Sequence, residues 1–406
     1  MIAETLPLAD VRILDFMWVM AGPASTRILA DYGATVIRIE SPTRVDTART
    51  LQPFHNNTAG PDSSGLFSNC NAGKFGISLD LGNPHSREVV QDLLQWAEVV
   101  TESFSPKAMR AWGYDYESLR KLKPDIIMLS TCLMGQNGPL SRIAGFGNMA
   151  AAISGFHNLT GWPDRPPAGP FGAYTDYVAP RFTAMAILAA LDHHRRTGQG
   201  QYIDQSQAEA SLHFLAPAIL DYTANGRIQG RVGNSDREYA PHGVYPAAGE
   251  DRWIAIVCET DAQWRGLCTV INRRDLAGDP RLSTARGRRD NAAEIDAAIS
   301  AWTTAMGAGA VEAHLQSCGV PAYQVQNSAQ AARDPQMAHR AHFVEVNHST
   351  LGKTIVEGPR AHLSRTPARV QAAGPSLGEH NQYVLEKILG YGEERITGLV
   401  AAGVFG

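Results

Sequence analysis

Over its first two hundred residues the chain alternates short aliphatic runs with amphipathic stretches of helical length, and that alternation narrows the possible folds sharply. Val11–Phe16 (VRILDF) predicts a strand, and Ala21-Gly22-Pro23 interrupts it. Pro23 suits the first turn of a helix that carries Ile28, Leu29 and Tyr32. Gly33 ends that helix, and Thr35–Ile39 predicts the next strand. Ile77–Leu81, Val99-Val100 and Ile126–Leu129 continue the series, with helices around Val89–Trp96 and Tyr116–Leu122 between them. Strands separated by crossover helices imply βαβ units, hence an α/β fold built on a parallel, doubly wound sheet.

Further along, Tyr177–His194 reads as one long apolar helix closed by Arg195-Arg196-Thr197-Gly198, cations and then glycine being ordinary helix-stop chemistry. Ser206–Tyr222 predicts another helix. From Gly226 to about Asn327 the texture changes to Gly, Arg and turn residues around the strand Trp253–Val257, which predicts a smaller α+β domain. The tail returns to βα texture with Val344-Glu345-Val346 and a helix over Asn381–Leu389. The expected layout is a large domain over 1–225, a small domain over 226–330, and a linker with a return to the large domain over 331–406.

Composition narrows the function classes. A chain of 406 residues accommodates two to three domains. Lys+Arg 36 against Asp+Glu 40 leaves a net charge of −4, without the clustered cations that nucleic acid or an anionic membrane surface would demand. Hydrophobic residues at 44% supply a large core. The five cysteines (Cys70, Cys132, Cys258, Cys268, Cys318) are odd in number, scattered and without a CxxC, so they read as thiols in a reducing compartment. The N-terminus shows no secretory pattern and no apolar run reaches 18 residues, so a cytoplasmic protein is expected.

Several motifs invite chemistry. Glu40 ends the second strand in the manner of a dinucleotide-binding unit, yet the preceding loop Val19-Met20-Ala21-Gly22-Pro23 holds one glycine where GxGxxG needs three. A plain strand-to-helix turn explains it better than NAD, while an adenine-nucleotide ligand such as coenzyme A remains open. GxSxG, HExxH and GxxxxGK[ST] are absent. His193 and His194 are adjacent on a helix, about 100° apart, so they suit a helix C-terminus better than one shared metal. Gly230–Asn234 would serve equally as a phosphate cradle or a turn. Asp176, just ahead of the long helix, reads either as an N-cap or as a carboxylate kept ionised by the helix N-terminus and able to attack an acyl group.

An ordered set of segments resembles the family III CoA-transferases from end to end. It comprises Leu8–Asp15, Ala21-Gly22-Pro23, Gly33–Glu40, Lys74, Ile77–Leu81, Gly135–Pro139, Asp176, Arg196–Tyr202, Ala240–Tyr245, Gly319–Ala322, Asp334-Pro335 and Leu377–His380. The resemblance implies that Asp176 is the nucleophile, passing through an aspartyl mixed anhydride and an aspartyl-CoA thioester. It also implies CoA contacts from Val19, Met20, Ala21, Arg38, Lys74, Leu79, Ser103, Phe104, Arg110 and Arg142, with CoA as co-substrate and neither metal nor NAD. The family's frequent Arg after the strand-ending Glu is Ser41 here, its Glu-Asn-Phe reads Glu102-Ser103-Phe104, and its Lys-Arg pair reads Lys74-Phe75. Oxalate-type members carry Gln where Met20 stands; with Trp18 beside it, the resemblance suggests a bulkier or aromatic acceptor acid, and allows succinyl-CoA as donor. The implied fold is a Rossmann-like large domain with the small domain inserted late in the chain. Two chains interlock, as a homodimer or as a heterodimer with a related chain. Two alternatives stand: a 2-methylacyl-CoA racemase, whose proton-carrying His would align with Phe146, and a non-catalytic subunit of a heteromeric transferase.

Overall fold

A computed structural model describes residues 6–105 and 107–405. Six strands form one parallel sheet: β1 (Arg12–Phe16), β2 (Thr35–Glu40), β3 (Phe75–Ser78), β4 (Val99–Glu102), β5 (Ile127–Cys132) and β6 (Tyr202–Ser206), in the order β3-β2-β1-β4-β5-β6. The intervening helices are α1 (Ala21–Asp31), α2 (Gly65–Asn71), α3 (Ser86–Trp96), α4 (Ala108–Trp112), α5 (Tyr116–Leu122), α6 (Gly147–Ile153), α7 (Phe156–Leu159) and α8 (Tyr174–Thr197). After β6 come α9 (Gln207–Leu212) and α10 (Ala216–Asn225).

Side chains alternate across a strand, so each inner strand feeds two cores. Ile13, Val36, Val99, Ile127 and Leu129 pack on one face with Leu29 of α1 and Ala184, Ile187 and Leu191 of α8. Leu14, Phe16, Ile37, Ile39, Val100 and Met128 pack on the other with Val89, Val90, Leu93 and Leu94 of α3 and with Val384, Leu385 and Leu399 of the tail. Each buried aliphatic contributes about 1.5–3 kcal/mol. The strand order reverses direction between β1 and β4. At such a switch point the loops leave in opposite senses and open a crevice outside the carboxyl ends of the strands.

The chain divides into two compact units. One comprises the residues up to His157, Gly169–Ile228 and the chain from Gln336 onward; the other comprises Asn158–Ala168 and Gln229–Pro335. The second unit holds an antiparallel sheet of β7 (His242–Pro246), β8 (Trp253–Val257) and β9 (Ala322–Gln324). Its core gathers Ile254, Ile256, Trp264, Leu267, Ile299 and Val311. In the first unit, β10 (Phe343–His348) and β11 (Gly352–Glu357) form an antiparallel hairpin, where the sequence suggested βα texture.

Other local departures have physical causes. The third strand stops at Ser78, because the Asp80 N–H turns away to the Val404 carbonyl. The helix expected over Ser206–Tyr222 is broken: Ser206 ends β6 and caps α9 with its hydroxyl, and Pro217, which has no N–H, restarts the helix as α10. Only Asn381–Tyr383 of the last expected helix is α-helical, and Val384–Ile388 widens into a π turn that seats Val384 and Leu385 in the core.

Candidate active site

The loop leaving β1 is tightly pinned. Asp15, fully buried, accepts bonds from Lys74 Nζ (3.0 Å), Thr26 Oγ1 (2.6 Å), Thr101 Oγ1 (3.0 Å) and the Met17 N–H (2.9 Å). Lys74 spends its remaining protons on the Pro23 carbonyl (2.8 Å) and Asn71 Oδ1 (3.0 Å). Burial pushes that ammonium down to about 8 against the pull of Asp15. Next, Trp18 N–H donates to Ser103 Oγ (3.0 Å) and the Trp18 indole N–H to the Ile39 carbonyl (3.3 Å). Val19 N–H donates to Asp46 Oδ1 (2.9 Å). Val19 sits at φ 68, a left-handed conformation costly for a β-branched residue, and the Asp46 bond helps hold it there.

A second buried cluster fixes the end of β2. Arg38 pairs with both Glu40 and Asp46, and Arg49 Nε binds Glu40 Oε1 at 2.7 Å while its Nη1 reaches Asp62 at 2.9 Å. Burial alone would push the Glu40 carboxyl up, but the two guanidinium groups outweigh it and hold it below the usual carboxylate range. Arg38 is 1% exposed and Lys74 2%. Both resemblance-derived CoA contacts are therefore interior ion-pair residues, with no surface turned to a ligand. The resemblance implied CoA contacts for both; in the fold their charged groups pair instead with Glu40, Asp46 and Asp15.

Outside the carboxyl ends of β1, β4 and β5 lies a cleft of about 240 Å³. Its walls bring together Val19, Met20, Ala21, Ser103, Phe104 and Arg142 with Asp176. Leu79 and Phe104 line an adjoining cleft of about 470 Å³ with Ser41, Arg44, Asp80 and Trp112, and Trp18, Phe104 and Ser105 face both clefts. Arg110 faces a third, of about 350 Å³, beside Glu102, Tyr202 and Asp204. There Glu102 accepts from the Phe104 N–H (2.7 Å) and Gln136 Nε2 (3.2 Å), and burial pushes its carboxyl up to about 7.

Asp176 does not cap α8. Ala173 takes the cap position without a side-chain bond, and Asp176 is the third helical residue, its side chain turned into the cleft wall. Two donors hold the carboxylate: the Gly147 N–H at the start of α6 and Gln207 Nε2 at the start of α9. Gln207 also donates to Thr175 Oγ1 at 2.8 Å, and Thr175 Oγ1 donates to the Gly147 carbonyl at 2.9 Å, closing a small buried network. A Cβ at residue 147 would lie 2.6 Å from Asp176 Oδ1, so glycine is what lets the backbone come this close. Asp176 is 6% exposed, and burial pushes its carboxyl up to about 6 against the lowering pull of Gln207 and Gly147. The result is a poorly solvated carboxylate in the wall of a cleft of about 240 Å³. Sequence reasoning missed Gln207; its only signal was Ser206, a good N-cap residue that places the next side chain at a helix start.

Phe146, where the racemase alternative needs a proton carrier, lines the cleft and has no titratable group. Among the described residues no group of three or more His, Cys, Asp or Glu is placed to hold a metal ion, and no helix is long and apolar enough to cross a membrane.

Fold and site together define a doubly wound α/β protein with a buried carboxylate in the wall of a cleft at its switch point. The family model for CoA-transferase family III matches residues 8–381, and the chain belongs to that family. It is similar to the succinyl-CoA–D-citramalate CoA-transferase of Chloroflexus aurantiacus, 33% identical over 98% of each chain. The succinate–glutarate CoA-transferase of Agrobacterium fabrum is 32% identical, over 94% of this chain and 96% of that protein. The beta subunit of the succinyl-CoA–L-malate CoA-transferase of Chloroflexus aurantiacus is 30% identical over 97% of each. Among solved structures, a CaiB/BaiF family protein from Brucella suis superposes with a TM-score of 0.86 at 29% identity, covering 95% of this chain and all of that one. The protein is a CoA-transferase with coenzyme A as co-substrate.

Proposed function

We propose that Asp176 is the nucleophile that carries coenzyme A from succinyl-CoA to a second carboxylic acid. The observation that carries this reading is the buried, doubly hydrogen-bonded Asp176 carboxylate at the wall of the switch-point cleft. The carboxylate attacks the thioester carbonyl, the C–S bond breaks, and the products are an aspartyl mixed anhydride and CoA thiolate. The thiolate attacks the Asp176 carbonyl and expels succinate, leaving an aspartyl-CoA thioester. The acceptor carboxylate displaces the thiolate to form a new anhydride, and thiolate attack on the acceptor carbonyl regenerates Asp176. Charge and atoms balance with no proton transferred. Holding the thiolate beside the anhydride makes each return step intramolecular, and the Gly147 and Gln207 donors stand ready for charge developing on the aspartyl oxygen. The N-terminus of α1, entered through Met20 and Ala21, adds a positive dipole end at the same cleft. Succinyl-CoA as donor is supported by relatives named for succinyl-CoA and succinate.

A pH profile follows from the Asp176 environment. Only the ionised form attacks, so kcat/KM rises with pH, reaches half its maximum near 6, and stays flat to pH 8. Gln207→Leu removes a donor that lowers this carboxyl, so the inflection moves to higher pH and the plateau falls about tenfold to a hundredfold. A plateau reduced with the inflection unmoved would assign Gln207 a purely structural part.

The chain works as a dimer in this reading, with a second copy or with a related chain, as the subunit name of one relative suggests for that protein. Phe171 (97% exposed), Leu220 (62%) and Met185 (59%) are large apolar side chains that a second chain would cover. Sedimentation of the purified protein is expected to give the mass of two chains at micromolar concentration; the mass of one chain would contradict it. The five cysteines are all free thiols, which supports a cytoplasmic location.

A further inference from the structure

Arg142 differs from the buried, paired cations beside the active site. Arg38, Arg49 and Lys74 are buried and paired with protein carboxylates. Arg142, in the stretch between β5 and α6, has no side-chain hydrogen bond or ion pair and, among the described residues, is the one cation lining the Asp176 cleft. The rest of that cleft carries apolar side chains from Met20, Leu133 and Ile143 and the uncharged hydroxyls of Ser103, Thr131 and Ser141.

The resemblance to the family assigns Arg142 to coenzyme A, but the chemistry of the ligand argues otherwise. The thioester carbonyl must meet Asp176, and the phosphates of CoA lie at the far end of an uncharged pantetheine arm. A cation sharing one small cleft with Asp176 therefore faces the acyl chain, while Arg44 and Arg110 line the two other clefts. A single guanidinium in a cleft otherwise lined, Asp176 apart, by uncharged side chains suits a short acyl chain that carries a second carboxylate, which Arg binds bidentately. We propose that Arg142 is the specificity-determining residue that holds the distal carboxylate of a dicarboxylic substrate. This rests on Asp176 being the point of acyl attachment.

The test compares two acids of equal chain length. CoA exchange is measured between succinyl-CoA and labelled succinate, and between butyryl-CoA and labelled butyrate, for the wild-type protein, Arg142→Met and Arg142→Lys. The wild type is expected to favour succinate by about a hundredfold or more in kcat/KM. Arg142→Met should lose on the order of a hundredfold with succinate, mostly through KM, while butyrate exchange changes by less than about threefold. Arg142→Lys should recover part of the succinate activity, because it keeps the charge but not the fork. Equal losses with both acids, or wild-type exchange of butyrate as fast as succinate, would overturn the assignment and leave the Asp176 mechanism standing. Absence of exchange with either pair overturns it too. The same absence combined with no acyl adduct on Asp176 would remove the nucleophile reading as well.

Discussion

Asp176→Ala is expected to abolish CoA transfer, lowering turnover by on the order of 10⁴-fold or more, because each step of the proposed reaction makes or breaks a bond to its carboxyl group. The conservative Asp176→Asn should be just as inactive yet more stable than the parent at neutral pH. The folded protein raises this carboxyl from 3.8 to about 6, so it binds the proton more tightly than the unfolded chain does. A group shifted in that direction costs nothing below about pH 4 and progressively destabilises the fold as pH rises toward 6. Above that, the ionised carboxylate costs about 3 kcal/mol, from roughly 1.4 kcal/mol per pKa unit. Urea denaturation at pH 7.5 should show Asp176→Asn gaining most of that amount, with the gain gone at pH 4. A destabilised Asn variant at pH 7.5 would mean that the carboxylate contributes to stability and stores nothing for catalysis.

Arg38→Met should cost about 3–5 kcal/mol, the price of leaving buried carboxylates without their partner. Glu40 would keep Arg49, but Asp46 would lose its one ion pair among the described residues while still holding the strained Val19 N–H at the mouth of the cleft. Salt would not mask the loss, since the pair is interior. A lower urea midpoint is expected, with CoA affinity of the protein that remains folded within about threefold of the parent. Unchanged stability with CoA binding lost would return Arg38 to the ligand surface.

How far the sequence could be read depends on which force shaped each element. The inner strands β1, β2, β4 and β5 are buried on both faces and read as near-continuous aliphatic runs, so hydrophobic pattern located them. The edge strand β6 (YIDQS) has Asp204 and Gln205 at its centre and was invisible to the same logic, although it supplies the Ser206 turn that delivers Gln207 to Asp176. Asp176 itself was legible only as a choice between cap and nucleophile, because helix-start residues look alike until the neighbouring backbone is known. The Gly147 N–H and the turn of the side chain away from the cap position come from elements 29 and more residues away in the chain, which no local pattern records. Arg38 and Lys74 illustrate the converse: the right residue types beside the crevice, turned inward by Glu40, Asp46 and Asp15.

Trapping the enzyme-bound acyl group tests the central claim most directly. Wild-type protein is incubated with succinyl-CoA and quenched with hydroxylamine, and the peptides are read by mass spectrometry. A hydroxamate on Asp176, formed within the turnover time and absent without succinyl-CoA, is the predicted result. Succinate exchange that proceeds at full rate with Asp176 unmodified and another residue labelled would contradict the account.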